Sequence, residues 1–244
     1  MKKIALSIIA LCLFIPFVVD AEVNDEEIVA QTIKYYKTVT FNNNLCSVSL
    51  NSLCNNSITY EVSKEEFDNS STEPIRDGLT ETTYKRLTST ISTFSSYFKY
   101  SANLYWKQMP STRSYDIIGI GHYGSVKNLG NNTYFEQHYT KSGTNYTTYT
   151  NYPQVFSNGS GTSFQLPSGT ITALSQDFYF IVEKNTTSTI VTQLAAADYA
   201  HATSTISLNN SKKYWVDSLG ITHNGNSPYY DAIDAANAYW SGTW

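Results

Sequence analysis

Side chains between residues 82 and 107 alternate in polarity every second position. Phe98, Tyr100, Ala102, Leu104 and Trp106 interleave with Lys99, Ser101, Asn103, Tyr105 and Lys107, the period of a strand with one buried face. Just before them, Leu87 and Ile91 interleave with Arg86, Thr88, Thr90 and Ser92, and Ser95-Ser96 supplies a connection. The segment 82–107 therefore reads as a β-hairpin. Further strands are predicted at 114–120, 134–139, 163–166, 178–183, 189–194, 202–208 and 213–216, separated by breaks containing Gly, Asn and Pro. Many short strands with turn residues between them predict an all-β, antiparallel β-sandwich.

Two segments carry a helical period instead. Asn24 precedes Asp25, Glu26 and Glu27, with Ile28, Val29, Ile33 and Tyr36 following and Lys34 and Lys37 near the end. A capping Asn and this charge order predict a short N-terminal helix over 25–37. Near the other end Ser227-Pro228 is a helix start, and Tyr229, Ile233, Ala236 and Trp240 share a helical face. A short C-terminal helix over 228–240 is predicted; the competing reading is an aromatic last strand through Tyr239 and Trp240. The stretch between the N-terminal helix and the first hairpin, with Asn42-Asn43-Asn44 and Lys64-Glu65-Glu66-Phe67-Asp68, shows no clear period.

The first twenty-one residues read as an address. Lys2 and Lys3 precede an apolar run from Ile4 to Val19, and Val19-Asp20-Ala21 has small residues at the positions a signal peptidase reads. The run falls short of the roughly 20 residues a membrane helix needs. Cleavage after Ala21 and secretion to the extracellular space follow. Cys12 is preceded by Leu11, which argues against lipidation, and leaves with the signal. That gives 1–21 as signal peptide, 22–80 as the N-terminal helix and a cysteine-containing loop region, and 81–244 as the sandwich, with 22–80 able to join it in one domain. Cys46 and Cys54, eight positions apart in an exported chain, are expected to form a local disulfide.

Composition narrows the function. The chain carries 16 Lys and Arg against 20 Asp and Glu, and charged residues make up 15% of it, whereas Ser, Thr and Asn number 29, 29 and 21. The surface is expected to be polar and mostly neutral. A weakly acidic chain lacks the basic stripe of a nucleic-acid binder, so no nucleic-acid partner is expected.

Trp106-Lys107-Gln108-Met109-Pro110 followed by Arg113-Ser114-Tyr115-Asp116-Ile117-Ile118-Gly119-Ile120 resembles a block in secreted proteins of low-GC Gram-positive bacteria. The resemblance implies a bacterial exported protein and brings no activity and no catalytic residue with it.

The chemistry-bearing residues do not assemble into a motif. His122, His138, His201 and His223 lack the spacing of a zinc protease pair. Asn158-Gly159-Ser160-Gly161 does not match a nucleophile elbow and reads as a glycine turn. Asp116, Glu136, Asp177, Glu183, Asp198, Asp231 and Asp234 offer carboxylates that sequence does not pair into the acid and base of a glycosidase. Asp231 and Asp234 are expected to be solvated near the start of the terminal helix. No catalytic residue, metal site or cofactor is expected.

Aromatic residues reach 14%, with 20 Tyr. Tyr134, Tyr139, Tyr146, Tyr149 and Tyr152 crowd a Thr- and Asn-rich region, where flat rings beside neutral hydrogen-bonding groups suit a sugar or protein surface. The expected function is non-enzymatic: glycan or protein binding at the cell surface, with Tyr146, Tyr149 and Tyr152 as ligand contacts. Two alternatives stand beside it. A Ser/Thr-faced hairpin of this length also suits a β-pore-forming toxin using 82–107, which would make the membrane a partner. An extracellular hydrolase requires the named His and Asp residues to converge in a pocket. Oligomeric state is left open.

Overall fold

A computed structural model describes residues 26–41, 57–70, 79–94, 97–150, 153–213, 215–217, 220–222 and 229–244. The segment 1–21 read as a signal peptide, Cys46, Cys54, Tyr152 and His223 lie outside these residues. The strands are β1 (Glu27–Phe41), β2 (Ser57–Val62), β3 (Leu79–Phe94), β4 (Tyr97–Trp106), β5 (Tyr115–Gly121), β6 (Val126–Lys141) and β7 (Thr144–Tyr149). They continue as β8 (Gln154–Phe156), β9 (Gly159–Gln165), β10 (Ile171–Lys184), β11 (Thr192–Ala200), β12 (Trp215–Asp217), β13 (Gly220–Thr222) and β14 (Asp234–Ser241). Two short helices, α1 (Lys64–Asn69) and α2 (Leu208–Ser211), join them.

The protein is all-β with antiparallel sheets. A seven-stranded sheet runs in the order β2-β1-β3-β4-β10-β6-β7, a five-stranded sheet in the order β14-β11-β5-β9-β8, and β12 pairs with β13. The hairpin expected over 82–107 is β3 and β4, which leave only Ser95 and Ser96 between them. Phe98, Tyr100, Ala102, Leu104 and Trp106 are all buried, so the two-residue period has one cause: one face of β4 points into the core. The opposite wall of the same core is built by Ile118 and Ile120 of β5, Phe164 of β9, Ala195 and Ala197 of β11, and Ala236 and Ala238 of β14. The hairpin is interior, flanked by β1 and β10 on either side. Moving it out would break both pairings and expose this apolar face.

Both terminal helices are corrected to strands. Residues 27–41 form β1, paired along its length with β3. Its Ile28, Val29, Thr32, Ile33, Thr38, Val39 and Thr40 are β-branched, which suits a pleated strand better than a helix. The pairing overrides the capping signal at Asn24. The 228–240 helix is replaced by β14, whose buried positions alternate as Asp234, Ala236 and Ala238 against exposed Ala235, Asn237 and Tyr239. That is the aromatic last strand of the competing reading, and it pairs with β11 from Thr192↔Ser241 to Tyr199↔Asp234. The strand expected at 202–208 is also absent: Ala202 makes a single bridge to Tyr230, and Ser207 caps α2.

Polar side chains tie the sheets at their shared end. The Tyr36 hydroxyl of β1 accepts from the Ala235 amide of β14 at 2.9 Å, and Ser89 of β3 donates to the Ala195 carbonyl of β11 at 2.7 Å. With β1 and β2 in the larger sheet, the described residues before 81 belong to the same structure as the strands that follow. Leu104 is fully buried at the middle of this packing. Replacing Leu104 with Ala is expected to lower unfolding free energy by about 2–5 kcal/mol, read from the midpoint of a denaturant titration.

Candidate functional site

Two features stand out: an open groove at the free edge of the larger sheet, and a buried cluster of charges between the sheets.

The groove begins with the β6–β7 hairpin. Lys141 pairs with Thr144, and the intervening Ser142 and Gly143 have φ of 51° and 80°, the left-handed pair that a tight two-residue hairpin requires. This turn sets β7 beside β6 as the outermost strand, with all six of its residues exposed. Between the hairpin and β9 lies a cavity of about 610 Å³, within the usual range for small-ligand sites. Phe135 and Phe164, with ring centroids 4.5 Å apart, are among its lining residues. Tyr115, Tyr139, Thr148, Tyr149 and Lys141 line it as well.

A row of amides runs from the core to this groove. Buried Gln176 of β10 donates to Gln137 Oε1 at 3.1 Å, and Gln137 Nε2 donates to the Gln165 carbonyl at 3.1 Å and to Thr148 Oγ1 at 3.4 Å. The adjoining loop is held by Arg113, which donates to the Pro167 carbonyl. Gly169 turns this loop at φ 88°, where an added Cβ would press on the Lys141 side chain.

The expected tyrosine contacts are divided by the structure. Tyr146 is opposite Tyr139, with stacked rings 5.1 Å apart, and lines a smaller hollow of about 270 Å³. Tyr149 is opposite Glu136, 69% exposed, and lines the groove. Three residues apart on one strand, they occupy opposite faces and do not form one flat platform. What sequence reasoning missed is the amide row, and Gln137 falls at a hydrophobic-face position of β6, where an alternating pattern gives it no polar role.

The histidines and carboxylates also fall into place. His138 is on the outer face of β6, its Nε2 3.2 Å from Glu136 and 3.7 Å from Asp177. His122 is buried against Tyr100 and Phe180, its Nδ1 2.9 Å from the Tyr123 carbonyl, and burial lowers its pKa. These two do not meet.

Asp116, His201, Asp231 and Asp234 do converge, around a lysine that sequence analysis did not single out. Lys85 of β3, fully buried, places its Nζ 3.2 Å from Asp231 Oδ2 and 2.7 Å from Asp234 Oδ2. The same ammonium lies 5.2 Å from the Trp106 ring and 5.1 Å from the Tyr199 ring. Asp231 is held further by the His201 amide at 2.9 Å and Thr59 Oγ1 at 3.2 Å. Asp116 Oδ2 lies 3.0 Å from His201 Nδ1 and accepts from the Tyr199 hydroxyl, while Asp116 Oδ1 accepts from the Ala202 amide at 2.9 Å. The expectation that Asp231 and Asp234 are solvated on a helix is corrected: they are 2% and 0% exposed. The reason is the strand geometry of β14, which turns Asp234 inward with Ala236 and Ala238.

Electrostatics in this cluster follow from burial and pairing. Burial alone would lower the Lys85 pKa, and Asp231 and Asp234 together raise it. Burial pushes the Asp234 carboxyl up to about 7, with Asp231 adding to the rise and Lys85 opposing it. Burial works against His201 protonation, but Asp116 outweighs it and raises the pKa. None of the four converging residues lines either cavity described above, and all four are buried, His201 at 6% exposure the least so. Among the described residues, no group of three or more His, Cys, Asp or Glu is placed to hold a metal ion.

Replacing Lys85 with Met would leave Asp231 and Asp234 buried without their cation, so stability should fall by about 3–5 kcal/mol, measured by urea titration. For His201, a folded pKa above the ordinary 6.5 means the native state binds the proton more tightly. Its stabilisation is full below about pH 6.5 and is lost as pH rises through the raised value. The melting temperature should therefore decline from pH 6 to pH 9, and His201→Gln should flatten that part of the profile. No family model, curated protein or solved structure matches this chain.

Proposed function

We propose that this chain is an exported, non-enzymatic β-sandwich protein whose groove between the β6–β7 hairpin and β9 binds a glycan at the cell surface. The observation that carries this reading is the lining of the groove. Tyr115, Tyr139 and Tyr149 offer flat apolar faces, while Thr148, Ser163, Gln165 and Ser168 offer neutral hydrogen-bonding groups. Sugar rings present the same two surfaces, C–H faces and hydroxyl edges. A groove whose lining is neutral apart from Lys141 recognises them with little of the desolvation that a highly charged site would demand.

Export is supported by the N-terminal sequence, where two lysines, an apolar run and small residues before position 22 follow one another. The two sheets on a shared core make a rigid support for the groove, and the Gln176–Gln137 row fixes the polar groups near Thr148 before any ligand arrives. Preset donors reduce the ordering that binding requires.

The test is a glycan screen of the purified, processed protein, including cell-wall polysaccharide fractions, followed by calorimetry on the best ligand. Tyr149→Ala is expected to weaken binding about tenfold, the loss of roughly 1.4 kcal/mol of ring contact. Tyr146→Ala, which lines the smaller hollow and not the groove, should bind within about twofold of the unaltered protein. Equal binding by both variants and the unaltered protein would remove the groove from consideration.

A further inference from the structure

The buried cluster holds a lysine amine and a carboxyl group in direct contact and away from water. Lys85 Nζ stands 2.7 Å from Asp234 Oδ2, both side chains being 0% exposed. Among the described residues, neither Asp234 oxygen is otherwise engaged: Lys85 Nζ stands at ion-pair distance from Oδ2, and no further donor reaches either oxygen. Asp231 differs in this respect. Its two oxygens are occupied by the His201 amide, Thr59 Oγ1 and Lys85 Nζ at hydrogen-bond distances. One carboxyl group is thus held in place by three neighbours, and the other meets only the amine among the described residues.

We propose that Lys85 and Asp234 condense into an intramolecular amide between Lys85 Nζ and Asp234 Cγ, a covalent staple between the centre of the larger sheet and the last strand of the smaller one. The step balances within the cluster. Lys85 ammonium gives one proton to the Asp231 carboxylate, 3.2 Å away, which leaves a neutral amine with a free lone pair. That pair attacks Cγ of the protonated Asp234 carboxyl group and forms the C–N bond. The Asp234 C–OH bond then breaks, and the departing hydroxyl takes a second proton from nitrogen and leaves as water. The third proton stays on the amide, and Asp231 ends protonated. No oxidant, metal or further reactant enters.

Several features of the site favour this course. A neutral Asp234 is a far better electrophile than a carboxylate, and burial holds that group's pKa at about 7. Trp106 and Tyr199 flank the amine and keep water away from it. Fixed at contact distance, amine and acid gain the effective concentration of an intramolecular pair. Condensation also removes one ammonium and one carboxyl group from a fully buried site, where charge is expensive to hold. Asp231 is the positioning and proton-accepting group. Asp116 is engaged by His201, Tyr199 and Ala202 instead.

The experiment is peptide mapping of the purified full chain by mass spectrometry after denaturation and reduction. Trypsin cuts after Arg76, Lys85, Arg86 and Lys213, and no Lys or Arg follows Lys213. An acylated Lys85 resists cleavage, so the expected product is peptide 77–86 joined to peptide 214–244, lighter than their sum by one water, about 18 Da. Fragmentation should place the link at Asp234. Lys85→Arg and Asp234→Ala should abolish the joined species, and Asp231→Asn should reduce it at least tenfold while circular dichroism still shows the β fold. Free peptides 77–85 and 214–244 in the unaltered protein would overturn the proposal whatever the variants do. A link to Asp231, or undiminished linkage in a folded Asp231→Asn protein, would overturn the assignment of electrophile and proton acceptor.

Discussion

A lysine ammonium withdrawn wholly from water has to be matched by charge brought to it from elsewhere in the chain, and in this protein the match to Asp231 bridges a sequence separation of 146 residues. Lys85 sits in β3, at the middle of the larger sheet, and its partners Asp231 and Asp234 come from the last fourteen residues. Neither side tolerates burial alone. The larger sheet can thus close over Lys85 only once β14 has docked, and β14 can turn Asp234 inward only against Lys85. This mutual requirement selects one register for the final strand, because a slip of one residue would put Ala235 inside and Asp234 in water. Asp116, His201 and Tyr199 extend the same logic through β5 and β11, so four strands meet at a single polar knot within an apolar core.

The all-β architecture was legible because its cause is local. Alternation through Phe98, Tyr100, Ala102, Leu104 and Trp106 reports one buried face, and no distant partner is needed to see it. The termini misled for the converse reason. At β1 the charge order and the capping Asn24 are genuine helix signals, and they lose to fourteen residue pairs with β3 that only the folded sheet supplies. At β14 the spacing of Tyr229, Ile233, Ala236 and Trp240 imitates a helical face because three small alanines suit either period. A sharper sign was present at α1, where Ser63 and Glu66 stand in the spacing of a capping box and Ser63 does cap the helix. At β7 the Ser142-Gly143 pair was an equally available turn signal.

Candidate chemistry was legible as inventory and illegible as arrangement. The carboxylates and histidines that sequence could count but not pair do gather, yet around Lys85, whose position in an alternating strand marks it only as one more polar residue in a Ser- and Thr-rich segment. Convergence alone does not make an active site. Catalysis needs a path for substrate, and Asp116, Asp231 and Asp234 are 0%, 2% and 0% exposed. Their arrangement fits chemistry that the protein performs on itself. The groove is the reverse case: accessible, and lined chiefly by groups that neither donate nor accept protons readily.

This separation explains how one fold can carry both. The knot lies between β3 of the larger sheet and β5, β11 and β14 of the smaller one, whereas the groove lies at the far edge of the larger sheet, where β7 is paired on one side only among the described residues. An edge strand is free to shape a binding surface, but it is also the weakest element of a sheet and an open template for further pairing. β7 carries no charge and no proline to discourage such pairing. Its position is therefore fixed from within, by the left-handed turn at Ser142 and Gly143 on one end and by the amide row through Gln137 and Gln176 behind it. Rigidity at the core thus matters most at an uncharged, exposed rim: a groove of tyrosines and hydroxyls keeps its shape only where the strand bearing it is held from behind.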